Sequence, residues 1–231
     1  MSEDLEQLKR DYEAISTSGK MPEVRDLYPY IVSQKGLSEK DIPEREYLLG
    51  DWLPVRASVL EIGSGSGQHA IHIGSTLTHV FWQPTEHPDR LEILASNLAR
   101  YAPSNVRTPL RLDLAENEWP DRSVDCVFSA NVIHIVSEPL GERLIVGGAQ
   151  AAGANGLFVL YGPFTYRGEF TTDSNRDFDQ WLKDRDEKSG IRSFEWIEGV
   201  AEREGMTLVE DRAMPANNQC LIFRKISVSQ S

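Results

Sequence analysis

The chain has 231 residues, of which 36 are acidic and 24 are basic, and its formal net charge is −12. This charge disfavours nucleic acids and anionic membrane surfaces as partners, because both are bound mainly through basic side chains. No stretch of the sequence approaches the roughly 20 apolar residues that span a bilayer, and the N-terminus has no apolar signal core. We therefore expect a cytoplasmic protein with neither a nucleic-acid nor a membrane partner.

The start of the chain is predicted to be helical. Apolar residues repeat at helical spacing over residues 3–16, which indicates an amphipathic helix. Residues 41–54 begin with an aspartate cap, carry a proline in the first turn and end on a second proline, a pattern typical of another helix. We assign residues 1–55 to an N-terminal helical lid and residues 56–231 to the main domain.

Short apolar runs alternate with helical patterns through the main domain. This alternation predicts a mostly parallel sheet with helices on both faces, and the last two runs are predicted to pair as an antiparallel hairpin. The predicted strands are residues 57–63, 79–86, 106–114, 123–136, 156–164, 206–214 and 217–225, and the predicted helices are residues 68–77, 88–102, 138–152, 175–188 and 192–205.

Three glycines follow the first strand of this pattern. Gly63, Gly65 and Gly67 form a G-x-G-x-G turn, and Glu61 precedes it at the strand end. The dinucleotide fingerprint G-x-G-x-x-G places its third glycine one residue later. A carboxylate beside the turn suits an ammonium group better than a pyrophosphate. The turn is therefore expected to clear space for a cofactor other than a dinucleotide.

The combination E-x-G-x-G-x-G resembles motif I of the Rossmann-like S-adenosylmethionine (SAM) methyltransferases. The resemblance implies SAM as the cofactor, with a second acid reaching its ribose and a third acid near its adenine. Glu86 lies 19 residues after Gly67 at the end of the second strand, and Asp113 ends the third. Singly, either acid could be a helix cap or a turn residue. The residues expected to contact SAM are Glu61, Gly63, Ser64, Gly65, Gly67, Gln68, His69, Glu86, Asp113, Leu114 and Asn131.

Longer blocks sharpen this resemblance. "VLEIGSGSGQHA", "FWQPTE", "PLRLDLAENEWP", "VFSANVIHIV" and "MPANNQCLIFRK" are similar to blocks of the methyltransferase-like protein 26 family, in the same order from Ala57 to Lys225. The resemblance implies a Rossmann-like seven-stranded methyltransferase sheet with a C-terminal hairpin, and it does not supply a substrate. It fails at the N-terminus, where the S-P-A-A-E-R-N segment typical of that family is replaced by "YPYIVSQKGLSEKDIPEREYLL".

Four residues after the fourth and fifth strands are candidates for catalysis. Asn131 could orient an acceptor, and His134 could act as a base near neutral pH. Tyr161 and Tyr166 could line the acceptor side and face a sulfonium. The structural alternatives are a turn asparagine, a histidine fixed by the backbone and tyrosines that belong to the core.

Asn175, Arg176, Asn217 and Asn218 are further polar candidates beside these four. Arg176 could clamp a carboxylate, although pairing with a neighbouring aspartate is the commoner role of such an arginine. Asn217 and Asn218 could reach the site or serve in a turn. His69 and His72 have no third ligand at fitting spacing, so no metal is expected.

Several functions are compatible with such a cofactor pocket. The first is a SAM-dependent methyltransferase that acts on a small molecule by in-line displacement, as in secondary-metabolite biosynthesis. The second is a cyclase that converts SAM to azetidine-2-carboxylate and methylthioadenosine without an acceptor, suggested by the altered N-terminal segment. The third is a non-catalytic SAM-binding regulatory module, and a dinucleotide oxidoreductase is the fourth. The sequence leaves open whether the protein is a monomer or a homodimer.

Overall fold

The computed structural model describes residues 52–116, 118–120 and 123–226. The predicted N-terminal helix over residues 3–16, and nearly all of the proposed lid, lie outside the described residues. The helices are α1 Gln68–Thr76, α2 Pro88–Tyr101, α3 Glu138–Ala151, α4 Asp173–Arg185 and α5 Phe194–Arg203. The strands are β1 Ser58–Ile62, β2 Phe81–Glu86, β3 Leu110–Arg111, β4 Val124–Ala130, β5 Ala152–Gly162, β6 Phe164–Tyr166, β7 Glu169–Phe170, β8 Arg192–Ser193, β9 Met206–Met214 and β10 Asn218–Lys225.

Seven of these strands form one sheet in the order β3-β2-β1-β4-β5-β10-β9. The first five strands in this order, β3, β2, β1, β4 and β5, are parallel to one another. Strand β10 is antiparallel to both β5 and β9. The predicted fold class, a mostly parallel α/β sheet with a C-terminal antiparallel hairpin, is confirmed. The strand order reverses between β1 and β4, and in such sheets the crevice for a ligand opens at the carboxyl ends of the strands flanking that point.

Alternating side chains of the sheet supply two hydrophobic clusters, one for each face. Val59 and Cys126 pack in a cluster with residues of α1 and α2, while Leu60 and Val127 pack in a cluster with residues of α3 and α5. Because successive side chains of a strand point to opposite faces, a strand covered on both sides must be apolar throughout. The sheet is therefore held between two helical layers, which fixes the strand ends where the site lies.

Two features of the sheets differ from the sequence-based expectations. The strand predicted over residues 106–114 is reduced to Leu110–Arg111, with one isolated bridge between Val106 and Trp82. Pro109 cannot donate a backbone hydrogen bond, which is consistent with this short edge strand. A second sheet of β7, β6 and β8 was not predicted. Its β6–β7 turn consists of Arg167 and Gly168, both with positive φ, as in type I′ hairpins.

No helix among the described residues is both long and apolar enough to cross a bilayer.

We expect Gly148→Ala to lower the free energy of unfolding by about 1–3 kcal/mol, the usual cost of overpacking a core. A Cβ at Gly148 in α3 would lie 2.7 Å from Cε2 of Phe158, whose side chain is fully buried. Gly199→Ala in α5 is the matched control, because a Cβ there meets no atom within 4 Å. Its higher helix propensity should add up to about 1 kcal/mol. Urea unfolding measures both variants, and a Gly148→Ala protein as stable as the control would contradict the packing described.

Candidate functional site

The glycine turn connects β1 to α1 at the point where the strand order reverses. Gly63, Gly65 and Gly67 have φ values of 71°, 58° and 91°, which other residues rarely adopt. A Cβ at Gly63 would lie 2.5 Å from Cγ2 of Val132, and one at Gly67 would lie 2.9 Å from Cδ2 of Leu98. A Cβ at Gly65 would meet no atom within 4 Å. Two of the glycines thus permit close packing, and the middle one leaves open space.

The N-terminus of α1 has no side-chain cap. Gly67 occupies the N-cap position, and no side chain accepts a hydrogen bond from the first turn there. The first backbone N–H groups of a helix lack intrahelical partners and carry the positive end of the helix dipole. Gln68 and His69, in this first turn, line a cavity of about 590 Å³. The end of α1 is therefore suited to an anionic group such as a carboxylate.

Glu61 lies buried behind the turn, with an exposed fraction of 1%. Its Oε2 accepts hydrogen bonds from Ser64 Oγ and from Trp82 Nε1, each at 2.8 Å. Its buried Oε1 accepts no hydrogen bond from the described residues, and His69 Nδ1 lies 3.6 Å from it. Burial raises the pKa of Glu61 from 4.5 to about 7. Glu61 thus braces the turn from behind and retains one unused acceptor oxygen.

Glu86, at the end of β2, accepts hydrogen bonds from two backbone N–H groups. Its Oε2 bonds to the N–H of Gly65 and its Oε1 to the N–H of His87, the latter at 2.9 Å. Each carboxylate oxygen can accept more than one hydrogen bond. Glu86 lines the cavity and is 8% exposed, so it can still bind hydroxyl groups from the cavity side.

Asp113 follows β3 and lines the same cavity. Its Oδ1 accepts a hydrogen bond from the N–H of Ala115 at 2.8 Å, and its Oδ2 lies 3.6 Å from His87 Nε2. Asp113 and Glu86 therefore stand at the ends of neighbouring strands, as the parallel pairing of β2 and β3 requires.

Asn131 and His134 line the cavity after β4. Asn131 has a φ of 59°, a conformation that asparagine tolerates, and its N–H donates to the carbonyl oxygen of Tyr161 at 2.9 Å. His134 is 2% exposed, and its buried Nδ1 has no hydrogen-bond partner among the described residues. Burial, assisted by the positive charge of Arg192, lowers the pKa of His134 to about 4. Its ring is therefore neutral at neutral pH.

The two candidate tyrosines do not line this cavity. The hydroxyl of Tyr161 accepts a hydrogen bond from Asn218 Nδ2 at 3.2 Å. The hydroxyl of Tyr166 donates to Asp211 Oδ2 at 2.8 Å, and its ring stacks on Phe194. Burial raises the pKa of both phenols. The structure therefore places Tyr161 against Asn131 through its backbone and against Asn218 through its hydroxyl, while Tyr166 points to Asp211.

The structure thus brings most of the predicted site residues to one cavity, while Glu61 and Gly67 support the turn from outside its lining. The predicted residues that line the cavity are Gly63, Ser64, Gly65, Gln68, His69, Glu86, Asp113, Leu114, Asn131 and His134. No group of three or more His, Cys, Asp or Glu side chains that could hold a metal occurs in the described part of the chain.

Several lining residues were not among the predicted site residues. His87 and Arg90 lie at the start of α2 and line the cavity. His87 directly follows Glu86 in the sequence, and this position is a signal from which it could have been predicted. Phe178 lies one turn after Asn175 on the face of α4 that borders the cavity, a spacing visible in the sequence. Arg176 instead pairs with Asp173 at the exposed start of α4 and does not line the cavity.

The sequence profile described as "Protein of unknown function (DUF938)" matches residues 45–225, more than half of the chain. The chain belongs to the DUF938 family. The narrower resemblance to the methyltransferase-like protein 26 family stays a prediction.

Solved structures of methyltransferases share the fold of this DUF938 chain. An O-methyltransferase family protein from Burkholderia thailandensis has a TM-score of 0.70 and 14% identity, over 97% of this chain and 71% of that chain. An O-methyltransferase family 2 protein from Planctomyces limnophilus, in complex with apigenin, has a TM-score of 0.66 and 13% identity, over 89% and 62%. PigF with SAH has a TM-score of 0.62 and 14% identity, over 73% and 50%. The DUF938 chain thus spans less than two thirds of the length of the last two.

We expect the stability of the ligand-free DUF938 protein to depend on pH through Glu61. The folded-state pKa of about 7 lies above the ordinary value of 4.5. The contribution of Glu61 is therefore fully present below about pH 4.5 and is lost as the pH rises through 7. Relative to Glu61→Gln, the wild type should lose up to about 3 kcal/mol across this window, at about 1.4 kcal/mol per pKa unit.

Urea unfolding of both proteins between pH 4.5 and 8 measures this difference. Glutamine keeps an oxygen for Ser64 and Trp82, so the variant retains both hydrogen bonds that brace the turn. A difference in unfolding free energy that stays constant across the pH range would contradict the raised pKa of Glu61.

Proposed function

We propose that this protein is a SAM-dependent methyltransferase that acts on a small-molecule acceptor. The observation on which the proposal depends is the cavity at the switch point, where the glycine turn, Glu86 and Asp113 converge. The shared fold supports it, since PigF was solved with SAH and the Planctomyces limnophilus protein with apigenin. The acidic charge of the chain also disfavours nucleic acids and acidic proteins as acceptors.

The described residues fit the parts of SAM. The uncapped N-terminus of α1 suits its carboxylate, and Glu86 keeps acceptor capacity for the two ribose hydroxyls. Asp113 suits the adenine amino group, with Leu114 bordering the same part of the cavity. Glu61 does not line the cavity and would act on the cofactor by holding the glycine turn. The middle glycine leaves open space where the cofactor would lie against the backbone.

When bound, SAM would supply a methyl group on a positively charged sulfur, whose carbon an acceptor lone pair could attack in line with S-adenosylhomocysteine as the leaving group. The protein's part is to orient the acceptor and to exclude water from the reacting atoms. Asn131 and His134 are the residues proposed for this task. A histidine ring with a pKa of about 4 is neutral at neutral pH, so its unprotonated nitrogen can accept a hydrogen bond but does not keep a second proton. His134 is therefore proposed to position the acceptor, whose proton leaves to solvent. In this proposal Tyr161 and Tyr166 contact neither the cofactor nor the acceptor.

Analysis of all products derived from SAM tests the proposal against its alternatives. The purified protein is incubated with SAM alone and with SAM plus a metabolite extract. We expect S-adenosylhomocysteine together with a methylated product only when the extract is present. Methylthioadenosine and a cyclic amino acid formed without any acceptor would show the cyclase instead. SAM binding without turnover in either mixture would indicate a regulatory module.

We expect Gly65→Ala to weaken the binding of SAM at least about tenfold, because the added methyl group would occupy open space beside the cofactor. Gly168→Ala is the matched control. Its φ of 81° imposes similar backbone strain and its Cβ also meets no atom within 4 Å, but it lies in the β6–β7 turn and does not line the cavity. Calorimetric titration with SAM measures both, and equal affinities for the two variants would argue against the proposed position of the cofactor.

A further inference from the structure

The cavity extends beyond the glycine turn to a second region, which we call the α4 end. It lies between the residues that follow β4, the start of α4 and the start of β10. The residues of the α4 end are Asn131, His134, Pro163, Asn175, Phe178 and Asn218.

Asn175 is 2% exposed and is held in one orientation. Its Nδ2 donates to Thr171 Oγ1 at 2.8 Å and to the carbonyl oxygen of Asn217 at 3.0 Å. Because a carbonyl oxygen can only accept, the amide atom that faces Asn217 must be the nitrogen. Both hydrogens of this amide are therefore used within the protein. Its Oδ1 receives no hydrogen bond from the described residues, and because Asn175 lines the cavity, this oxygen is the acceptor that the amide retains there.

Asn218 repeats this arrangement. Its Nδ2 donates to the hydroxyl of Tyr161 at 3.2 Å and to the carbonyl oxygen of Pro215 at 3.4 Å. Its Oδ1 likewise has no donor among the described residues. The backbone of Asn217 connects the two amides, since its carbonyl oxygen binds Asn175 and its successor in the chain is Asn218. The α4 end thus presents two oriented oxygen acceptors.

The unpartnered Nδ1 of His134 adds a third polar atom to this region. A Cβ added to Gly162 would lie 3.3 Å from this Nδ1, so the ring nitrogen lies close to the backbone just before Pro163. The ring packs edge-on against Phe178, with ring centres 5.6 Å apart. A ligand in the α4 end would therefore lie beside an aromatic ring as well as the acceptor oxygens.

No lysine or arginine of the described chain lines the α4 end. The lining charges are those of Glu86, Arg90 and Asp113, all at the ends of β2 and β3 or the start of α2. Arg192 is close enough to lower the pKa of His134, but its guanidinium donates to backbone carbonyl oxygens and does not line the cavity. A carboxylate or phosphate would lose its hydration here without gaining a cation.

We infer that the α4 end is the acceptor subsite and that it selects molecules that donate hydrogen bonds. Its ligand has a small apolar body and presents N–H or O–H groups, as an amine, an amide or an alcohol does, to the Oδ1 atoms of Asn175 and Asn218. Carboxylates and phosphates are rejected. This inference rests on the proposed function, because it takes the other half of the cavity as the SAM site.

Three probes of similar size test this selection by calorimetry on the full chain saturated with S-adenosylhomocysteine: 2-phenylethylamine, 2-phenylethanol and 3-phenylpropionate. We expect the amine and the alcohol to bind, and the carboxylate to bind at least about tenfold more weakly. Carboxylate binding as tight as that of the amine, or no binding of any probe, would overturn the inference alone. Failure of S-adenosylhomocysteine itself to bind would overturn the proposed function and the subsite with it.

Asn218→Asp separates recognition from a structural role. The variant loses the hydrogen bonds that Nδ2 donates to Tyr161 and Pro215, so the readout is the ratio of the two affinities. The new carboxylate should raise the affinity for the amine relative to that for the alcohol about three- to tenfold, since only the amine is charged. A variant that merely disturbed the fold would weaken both equally. Gln180→Glu is the matched control, because it adds the same charge at an exposed position of α4 that does not line the cavity. An affinity ratio that does not increase in Asn218→Asp, or that increases equally in Gln180→Glu, would contradict the inference.

Discussion

The backbone of the turn from β1 into α1 determines the shape of the site. Its three glycines take left-handed dihedrals, which brings the chain against Val132 on one side and against Leu98 on the other. The carboxylates of Glu61 and Glu86 accept hydrogen bonds from the turn, from Ser64 Oγ and from the N–H of Gly65. Keeping a carboxylate such as Glu61 almost fully buried is costly unless it is hydrogen-bonded. The turn and the two acids therefore form one structural unit.

The order of the strands places two regions of different chemistry next to each other in the cavity. The ends of β2 and β3 place carboxylates beside the turn, where a polar nucleoside would require acceptors. The α4 end lies on the far side of β4 and presents neutral amides, an aromatic ring and a neutral imidazole. A cationic cofactor and an acceptor that donates hydrogen bonds could thus be bound next to each other without competing for the same groups.

The parts of the fold that depend on local pattern could be predicted from the sequence. The order of strands and helices follows from hydrophobic periodicity, and the acids of the site follow from their positions at strand ends. The α4 end could be predicted only in part, because the sequence offers its asparagines as separate candidates and does not show that they meet. Asn175 and Asn218 lie 43 residues apart and meet only through the carbonyl oxygen of Asn217. Tyr166 was predicted to face the site, but its short strand directs the phenol to Asp211.

A crystal structure of the protein grown with S-adenosylhomocysteine tests the central claim most directly. The account predicts the nucleoside in the cavity at the switch point, with its ribose hydroxyls on Glu86, its adenine beside Asp113 and its amino-acid end over the glycine turn. A nucleoside bound elsewhere on the protein, or a cavity that stays empty at millimolar ligand, would contradict it.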